Sequence, residues 1–315
     1  MRCLVTGASG FLGSHLVRAL LEREQDVTVL LRPNSKPERL LDCLPRVRVL
    51  HGSLDDLGEL ADGLRQQPVE AAFHLAWSGV TGEFRNCTEP AIENVAGTLR
   101  LWELLRQNHC AAFIGVGSQA EYGPKTGILT EDLPTVPQTV YGASKLALSL
   151  LLKQFCQSAE MRFVWLRLLS VYGPGDDQRH MVPGLINTLL RGEKPALTAG
   201  EQLWDYLYVD DAAAAICAVL QSKAEGVFNL GSGQACVLRD FVTLLRDSID
   251  PSLPLGFGEV PYRHDQVMHL EADISRLKAA TGWTPQTSLQ EGIGQTLAWH
   301  INQLSLPQKN SSRSA

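Results

Sequence analysis

The feature that most constrains the fold is the stretch at residues 3–13, which reads CLVTGASGFLG. An apolar run ends at Gly7, and the sequence SHLVRALLERE after Gly13 has the apolar spacing of a helix. Gly7 permits a tight turn, Gly10 lets backbone N–H groups approach a phosphate, and Gly13 lets the helix pack closely on the strand. Glycines also occur in ordinary turns. Because a second apolar strand, DVTVLL, follows the helix, the sequence predicts a βαβ unit with a dinucleotide site.

Composition narrows the class of protein. The chain has 315 residues and 44% hydrophobic content, enough for one large domain or two modest ones. The net charge is −6 and no Lys or Arg block stands out, so neither nucleic acid nor an anionic membrane is expected as a partner. Seven cysteines are scattered without a CxxC pair, which argues against a disulfide framework and a zinc cluster. With no room for a signal peptide before the first strand and no apolar run of eighteen residues, the expected location is the cytoplasm.

Apolar runs alternate with helix-like segments through the first half of the chain. The runs lie at 46–50, 70–77, 111–118 and 162–169, and helices are predicted over 94–108 and 144–157. This alternation predicts an α/β fold with a doubly wound parallel sheet. We expect residues 1–172 to form a dinucleotide-binding domain and residues 173–305 to form mainly a smaller substrate-binding lobe that returns some elements to the sheet. The polar tail at 306–315 is predicted to be disordered.

Two residues with acid–base potential, Tyr141 and Lys145, lie four positions apart at the start of a helical pattern and can share one face. A nearby ammonium favours phenolate and could lower the tyrosine pKa by roughly 3 units. A YxxxK match also arises by chance from a half-buried Tyr beside a surface Lys. Ser118 favours the catalytic interpretation, because it ends a predicted strand and ligands of open α/β sheets bind beyond the carboxyl ends of the strands.

With these residues in view, the chain resembles the extended short-chain dehydrogenases/reductases of the nucleotide-sugar epimerase, dehydratase and reductase group. The motifs that carry the resemblance are TGASGFLGSH, HLAW at 74–77, NVAGT at 94–98, SQAEYG, LRLLSVYGPG at 166–175, DYLYVDDAA at 205–213, NLGSG at 229–233 and GWTPQTSLQEGI. The resemblance implies a Rossmann fold in which Tyr141 is the acid/base, Lys145 tunes it and touches the nicotinamide ribose, and Ser118 holds the reacting oxygen.

The resemblance also implies a set of cofactor contacts and an oligomeric state. The implied cofactor-binding residues are Gly7, Ser9, Gly10, Phe11, Leu12, Gly13, Arg32, Ser53, Leu54, Leu75, Ala76 and Lys145. Members of the group commonly form homodimers through a four-helix contact, for which 94–108 and 144–157 are the candidate segments.

Two departures from the family pattern narrow the activity. Dehydratases carry an Asp-Glu pair directly after the catalytic Ser or Thr, and here those positions are Gln119 and Ala120. Glu121 is one place further on, and in an extended segment its side chain would point differently from residue 120. Dehydration is therefore disfavoured.

The second departure concerns the cofactor. NAD-preferring members end the second strand with an Asp or Glu for the ribose 2′-hydroxyl, whereas this chain has Arg32 after two leucines. Arg32 could pair with a 2′-phosphate through charge-assisted hydrogen bonds, although it could also be an ordinary exposed loop residue. NADP(H) is therefore predicted ahead of NAD.

Substrate contacts are implied by resemblance alone, at Gln119, Ser170, Trp204 and Arg263. Trp204 stands where relatives often have a diphosphate-binding Arg, and it could stack on a base or sugar or belong to the core. Arg263 lies ten residues before Asp273, where another diphosphate-binding Arg is expected.

Three further polar residues receive structural interpretations. His74 ends a predicted core strand and is expected to be packed, not catalytic. Asp210 and Asp211 follow a strand and are expected to cap the next helix. With no clustered His/Asp set, no metal is expected.

The sequence as a whole predicts an NADPH-dependent reductase of a nucleotide-activated 4-keto-6-deoxy sugar. Hydride would pass to the C4 keto carbon while Tyr141, assisted by Ser118, protonates the developing alkoxide. The motifs WDYLYVDDAA and GSQAEYGP resemble the CDP- and dTDP-4-keto-6-deoxyhexose 4-reductases more than the galactose epimerases. The alternatives are a 4-epimerase with tightly bound NAD, which would use the same three residues, and a non-catalytic dinucleotide-binding sensor, against which the intact YxxxK counts.

Overall fold

The computed structural model of the chain describes residues 1–80, 82–263 and 266–305, and the predicted disordered tail at 306–315 lies outside the described residues. Within the described part, seven strands form one parallel sheet in the order β10-β6-β5-β4-β1-β2-β3. These strands, numbered in chain order, are β1 (Arg2–Thr6), β2 (Asp26–Leu31), β3 (Arg48–His51), β4 (Ala71–His74), β5 (Ala112–Ser118), β6 (Arg162–Leu168) and β10 (Gly226–Leu230).

Helices connect the strands and cover both faces of the sheet. They are α1 (Phe11–Glu22), α2 (Gly58–Gln66), α3 (Thr88–Gln107), α4 (Val140–Ser158), α5 (Met181–Leu190), α6 (Val209–Gln221), α7 (Leu238–Asp247), α8 (Ser275–Thr281) and α9 (Leu289–Ser305). Shorter 3₁₀ helices lie at Glu38–Leu40, Leu44–Arg46, Gly82–Asn86 and Gln119–Glu121. Successive side chains of β1 point to opposite faces of the sheet, so Cys3 and Val5 enter one apolar cluster and Leu4 enters another. Both faces of the sheet are therefore buried. The predicted doubly wound parallel α/β fold is confirmed.

The chain leaves the central sheet directly after β6. The remaining strands are β7 (Ser170–Tyr172), β8 (Ala196–Leu197), β9 (Leu203–Tyr208), β11 (Ala235–Val237), β12 (Gly256–Phe257) and β13 (His269–Leu270). Strand β9 joins β7, β11 and β13 in a second sheet, which packs on α5, α7 and α9 around Tyr172 and Phe241. Strand β10 and helix α6 return to the first layer, where α6 packs against α1. No helix in the described residues is long and apolar enough to cross a membrane.

Candidate active site at the carboxyl ends of the central strands

The turn between β1 and α1 is shaped by its glycines. Gly7 has φ +73°, and a Cβ added there would lie 2.6 Å from the Ala76 backbone nitrogen. A Cβ on Gly13 would lie 2.1 Å from the Gly7 carbonyl oxygen, so the first turn of α1 packs directly on the loop. Gly10 is the exposed N-cap, and it leaves the backbone N–H groups that follow it open at the helix N-terminus. This cradle fits a pyrophosphate group.

The other predicted cofactor residues surround this turn or extend along the sheet edge. Ser9, Phe11 and Leu12 are half-buried in the turn and the first turn of α1, and Leu75 and Ala76 form the wall against Gly7. The Ser53 hydroxyl accepts hydrogen bonds from the backbone N–H groups of Asp55 and Asp56, and Leu54 packs where a Cβ on Gly97 would clash with it. Arg32 is exposed directly after β2. Among the residues described, no carboxylate forms an ion pair with it.

Substitution of Gly13 by Ala is expected to weaken nicotinamide-dinucleotide binding by at least about tenfold, since the new Cβ must push the loop away from α1. Fluorescence titration of the purified variant checks this. Gly294→Ala on α9 is the matched control, because a Cβ there meets nothing within 4 Å. Equal cofactor affinity of wild type and Gly13→Ala would contradict the assignment of the turn as the dinucleotide site.

The three predicted catalytic residues meet at the carboxyl end of β5. Ser118 is the last residue of β5, and Tyr141 and Lys145 lie in the first two turns of α4, which packs against β5. Tyr141 and Lys145 are 9% and 4% exposed, so both project into the protein from a single helix face. The Thr139 hydroxyl caps α4 by accepting from the Gly142 N–H, which fixes the start of the helix one residue before Tyr141.

Lys145 is directed at the sheet and at an aromatic ring. Its Nζ donates to the Val116 carbonyl over 2.7 Å and lies 3.8 Å from the centroid of the Trp77 ring. Burial lowers the pKa of Lys145 to about 7, and the negative charge of Glu121 acts in the opposite direction because it favours the ammonium. The Lys145 ammonium is therefore held by a carbonyl and a π face.

The pKa of Tyr141 is raised in this structure, so the lowering expected from Lys145 is not seen here, and the tuning of Tyr141 by Lys145 in the reaction stays a prediction. Burial raises the pKa of Tyr141, while hydrogen bonding with the Ser118 side chain and the charge of Arg85 act in the opposite direction. The Lys145 Nζ is bound to the Val116 carbonyl and lies over the Trp77 ring.

The segment after Ser118 is a 3₁₀ helix, so the expectation for an extended chain does not apply to Glu121. Its carboxylate is fully buried and accepts from the Ser118 N–H, the Trp165 Nε1–H and the Arg167 Nε–H, each at 2.9 Å. The Ser118 hydroxyl accepts from the Ala120 N–H and completes a capping box. Glu121 therefore fixes the backbone of Ser118 through a hydrogen bond, and its carboxylate is paired with Arg167.

Comparison with known proteins fits this arrangement. The protein-family model described as "NAD dependent epimerase/dehydratase family" matches residues 3–231 of the sequence. The chain belongs to this family. Among relatives, the uncharacterized UDP-glucose epimerase YtcB of Bacillus subtilis is 30% identical over 317 residues, covering 95% of this chain and 98% of that protein. The dTDP-4-dehydro-6-deoxyglucose reductase of Escherichia coli is 25% identical over 315 residues, covering 93% and 96%. The UDP-glucose 4-epimerase of Thermus thermophilus, solved as a complex with NAD, has a TM-score of 0.84 and 28% identity, covering 96% of this chain and 99% of that one.

The four residues predicted to contact substrate lie on different elements of the structure. Trp204 on β9 donates its Nε1–H to the Ser170 hydroxyl over 2.7 Å, so two of the four predicted contacts are joined to each other. Gln119 is half-buried in the 3₁₀ helix after Ser118. Arg263 is exposed, and its carbonyl accepts from the Gln266 N–H. The structure therefore pairs Ser170 with Trp204.

His74 is packed, as predicted. It is buried, with Nδ1 2.8 Å from the Thr6 hydroxyl and Nε2 2.9 Å from the Thr98 hydroxyl. Burial, with a smaller effect of the Lys145 charge, lowers its pKa to about 3, so the ring is neutral at physiological pH.

The capping prediction for the two aspartates is wrong, because the N-cap of α6 is Tyr208 and both aspartates lie in the first turn. Asp210 contacts the His15 ring, and Asp211 accepts from the backbone N–H groups of Gln286 and Thr287. Their negative charges lie in the first turn of α6, where they interact favourably with the positive end of the helix dipole. Over the described residues, no group of three or more His, Cys, Asp or Glu side chains could hold a metal ion.

Sequence reasoning missed three residues of the site. Trp77 packs edge-on against Tyr141, with ring centroids 5.8 Å apart, and Arg85 lies with its Cζ 5.4 Å from the Tyr141 centroid. Trp165, on β6, donates its Nε1–H to Glu121. Trp77 follows the HLA motif directly, which was the one available indication. Nothing in the sequence pattern pointed to Arg85 or Trp165.

Proposed function

We propose that this chain transfers hydride at C4 of the sugar of a nucleotide sugar, with Tyr141 exchanging a proton with the C4 oxygen. The observation that carries the proposal is the buried Tyr141 phenol beside Ser118, at the carboxyl end of a central strand of a dinucleotide-binding sheet. Family membership and the names of the relatives support the substrate class.

Each residue has a separate task in this reaction. A nicotinamide dinucleotide, when bound, supplies or accepts the hydride. Gly7, Gly10 and Gly13 would hold its pyrophosphate at the N-terminus of α1. The Ser118 hydroxyl orients the C4 oxygen, and Tyr141 donates a proton to that oxygen as the ketone is reduced or removes one as the alcohol is oxidised.

Dehydration is not supported by the site. The positions after Ser118 that would hold its acid and base are Gln119 and Ala120. The carboxylate of Glu121, three residues after Ser118, is paired with Arg167 and fully buried. Its oxygens accept from the Ser118 N–H, Trp165 and Arg167, so a Glu121 carboxylate held in this way does not serve as the base of a dehydratase.

The finer proposal is an NADPH-dependent reduction of a 4-keto-6-deoxy sugar. Its support is Arg32, whose exposed guanidinium stands at the end of β2 where a carboxylate would repel a 2′-phosphate. The similarity to the Escherichia coli reductase is consistent with this direction of the reaction.

A second candidate is 4-epimerisation with retained NAD. It is favoured by the similarity to YtcB and to the Thermus thermophilus enzyme complexed with NAD. An epimerase needs oxidation and reduction at the same carbon, and a single Tyr141 can serve both half-reactions.

The two candidates are separated by cofactor consumption. Purified protein is mixed with a dTDP-4-keto-6-deoxy sugar and NADPH, and separately with a UDP-hexose and no added cofactor. Oxidation of one NADPH per alcohol formed supports the reductase. Interconversion of two UDP-hexoses at constant absorbance of the reduced cofactor supports the epimerase. No turnover in either assay, with the cofactor shown to bind, would contradict hydride transfer to a nucleotide sugar.

Replacement of Arg32 by Ala is expected to reduce the ratio of NADPH to NADH affinity by about tenfold, since one charge-assisted contact to the 2′-phosphate is lost. Calorimetric titration with both cofactors measures the ratio. Arg65→Ala on α2, an exposed arginine paired with Asp62, is the matched control. If wild type already prefers NADH, or retains bound NAD through purification, the role assigned to Arg32 is wrong.

A homodimer through α3 and α4 is consistent with the exposed side chains of Ile92, Leu150 and Leu151 on these two packed helices. A cytoplasmic location stays a prediction.

A further inference from the structure

One side chain of α1 contacts the chain directly after two strands of the second sheet. His15 lies one turn after Phe11, and the two rings meet edge-on with their centroids 5.7 Å apart. The Nδ1 of His15 lies 2.5 Å from Asp210 Oδ1, and its Nε2 lies 2.9 Å from the Pro174 carbonyl oxygen. The His15 side chain is 11% exposed, so the ring is largely withdrawn from water.

The two partners of His15 occupy equivalent places on paired strands. Strand β7 ends at Tyr172 and β9 ends at Tyr208, and these two residues are partners in the parallel pairing. Pro174 and Asp210 each lie two residues after the end of their strand. His15 therefore joins the carboxyl ends of both strands to one point on α1.

Both partners of His15 are hydrogen-bond acceptors. A carbonyl oxygen and a carboxylate do not donate, so the two bonds form together when both ring nitrogens carry a proton. The bond to Asp210 is then charge-assisted. The two bonds hold the imidazole in one orientation between α1 and the ends of the strands.

A second side chain of the dinucleotide domain binds the same loop. Arg39 lies in the 3₁₀ helix Glu38–Leu40, and its Nε donates to the Gly175 carbonyl over 2.7 Å. The neighbouring carbonyls of Pro174 and Gly175 are thus bound from α1 and from the segment that follows Arg32. Both of these elements belong to the predicted cofactor site.

The strands joined to α1 in this way carry two of the proposed substrate contacts. Ser170 is the first residue of β7, Trp204 lies on β9, and their side chains are hydrogen-bonded to each other. At the other end of the connection, Gly10 is the N-cap of α1 and opens the cradle that fits a pyrophosphate. One helix therefore connects the cofactor cradle with the strands that hold Ser170 and Trp204.

We propose that His15 is a positioning residue, which aligns β7 and β9, and with them Ser170 and Trp204, to a dinucleotide bound at the turn before α1. The inference rests on the proposed function, because this alignment matters for hydride transfer to a substrate that the second lobe holds. A misplacement of about 1 Å by a change far from the reacting atoms can cost about a hundredfold in rate. Loss of the His15 contacts should therefore affect kcat more than cofactor binding.

The test compares two variants of His15. His15→Phe keeps an aromatic ring beside Phe11 and removes both donors, and it is expected to lower kcat about tenfold while the cofactor Kd stays within about twofold of wild type. His15→Gln keeps two N–H donors in its amide and is expected to recover most of the rate. His269→Phe is the matched control with an unchanged kcat, because His269 also binds a carboxylate, Glu271, but in the second lobe.

Hydrogen exchange measures the same connection without turnover. In wild type, addition of NADPH or NADH is expected to slow amide exchange in the peptide 173–178 about tenfold, because a bound cofactor holds α1 and the loop together. The same addition to His15→Phe is expected to leave exchange in this peptide unchanged. Urea denaturation of each variant shows whether it is folded under the assay conditions.

The outcomes separate positioning from a structural role. An unchanged kcat in His15→Phe, with or without a lower urea midpoint, would overturn the inference, and so would a His15→Gln variant that recovers nothing. Exchange in 173–178 that responds to cofactor equally in wild type and His15→Phe, or in neither, would also overturn it. A response in wild type alone, without turnover of any nucleotide sugar, would uphold the role of His15 and remove the proposed function instead.

Discussion

Replacement of Tyr141 by Phe is expected to lower kcat by about a thousandfold in both directions of the reaction, within the range of positioned acid–base catalysts. The substitution removes the only hydroxyl on a ring that is held by Trp77 on its edge and Arg85 near its face. The ring itself stays, so the packing of α4 on β5 and the cofactor cradle are unchanged. Steady-state rates and a parallel cofactor titration measure the two properties separately.

The control for this substitution is Tyr208→Phe. The Tyr208 hydroxyl donates to the Gln295 side chain between β9 and α9, far along the chain from the catalytic residues. Its loss should leave kcat within about twofold of wild type while costing about one hydrogen bond in stability. If Tyr141→Phe retains more than a tenth of the wild-type rate, another group donates the proton. The assignment of Ser118 and Lys145 as its partners then has no basis.

The elements of the first half of the chain were predictable because they depend on local chemistry. Gly7 and Gly13 are needed where Cβ atoms would meet backbone, and such requirements are visible in a sequence. Strands buried on both faces give continuous apolar runs, and β5 and β6 appear as such runs. The bounds were less accurate, since α3 begins at Thr88 and not at residue 94.

The direction of charged side chains was not predictable in the same way. A spacing of four residues places Tyr141 and Lys145 on one face of α4, but it does not say which group the ammonium contacts. That choice is made by the Val116 carbonyl, on β5, and by Trp77, on the loop after β4. Both lie more than twenty residues away in sequence, so no local pattern contains them.

The same limit explains the outcome for Trp204 and Ser170. Each was predicted as a separate substrate contact by resemblance, and the parallel pairing of β7 with β9 brings the two side chains together. A hydroxyl that already accepts from an indole can still donate to a ligand. As proposed substrate contacts, the two side chains would therefore act as one joint polar position.

Glu121 lies in a 3₁₀ helix and is fully buried, whereas the sequence was interpreted for an extended segment. Its replacement is expected to have a large effect on stability. Glu121→Ala should lower the free energy of unfolding by about 3–5 kcal/mol, because removal of one partner leaves the other buried charge uncompensated. Arg167 has a side chain that is 7% exposed, and it would lose its ion pair while Trp165 Nε1 and the Ser118 N–H lose an acceptor. Urea denaturation monitored by circular dichroism measures the change.

Two further variants show whether the buried charge is the cause. Glu103→Ala removes an exposed carboxylate paired with Arg106 on α3, and it should leave the urea midpoint unchanged, as expected for a surface pair. Glu121→Leu combined with Arg167→Met removes both buried charges and should recover part of the lost stability, since no ion is left without a partner. If Glu121→Ala behaves like Glu103→Ala, the ion pair does not hold the segment after Ser118. The anchoring of Ser118 by Glu121 would then have to be abandoned.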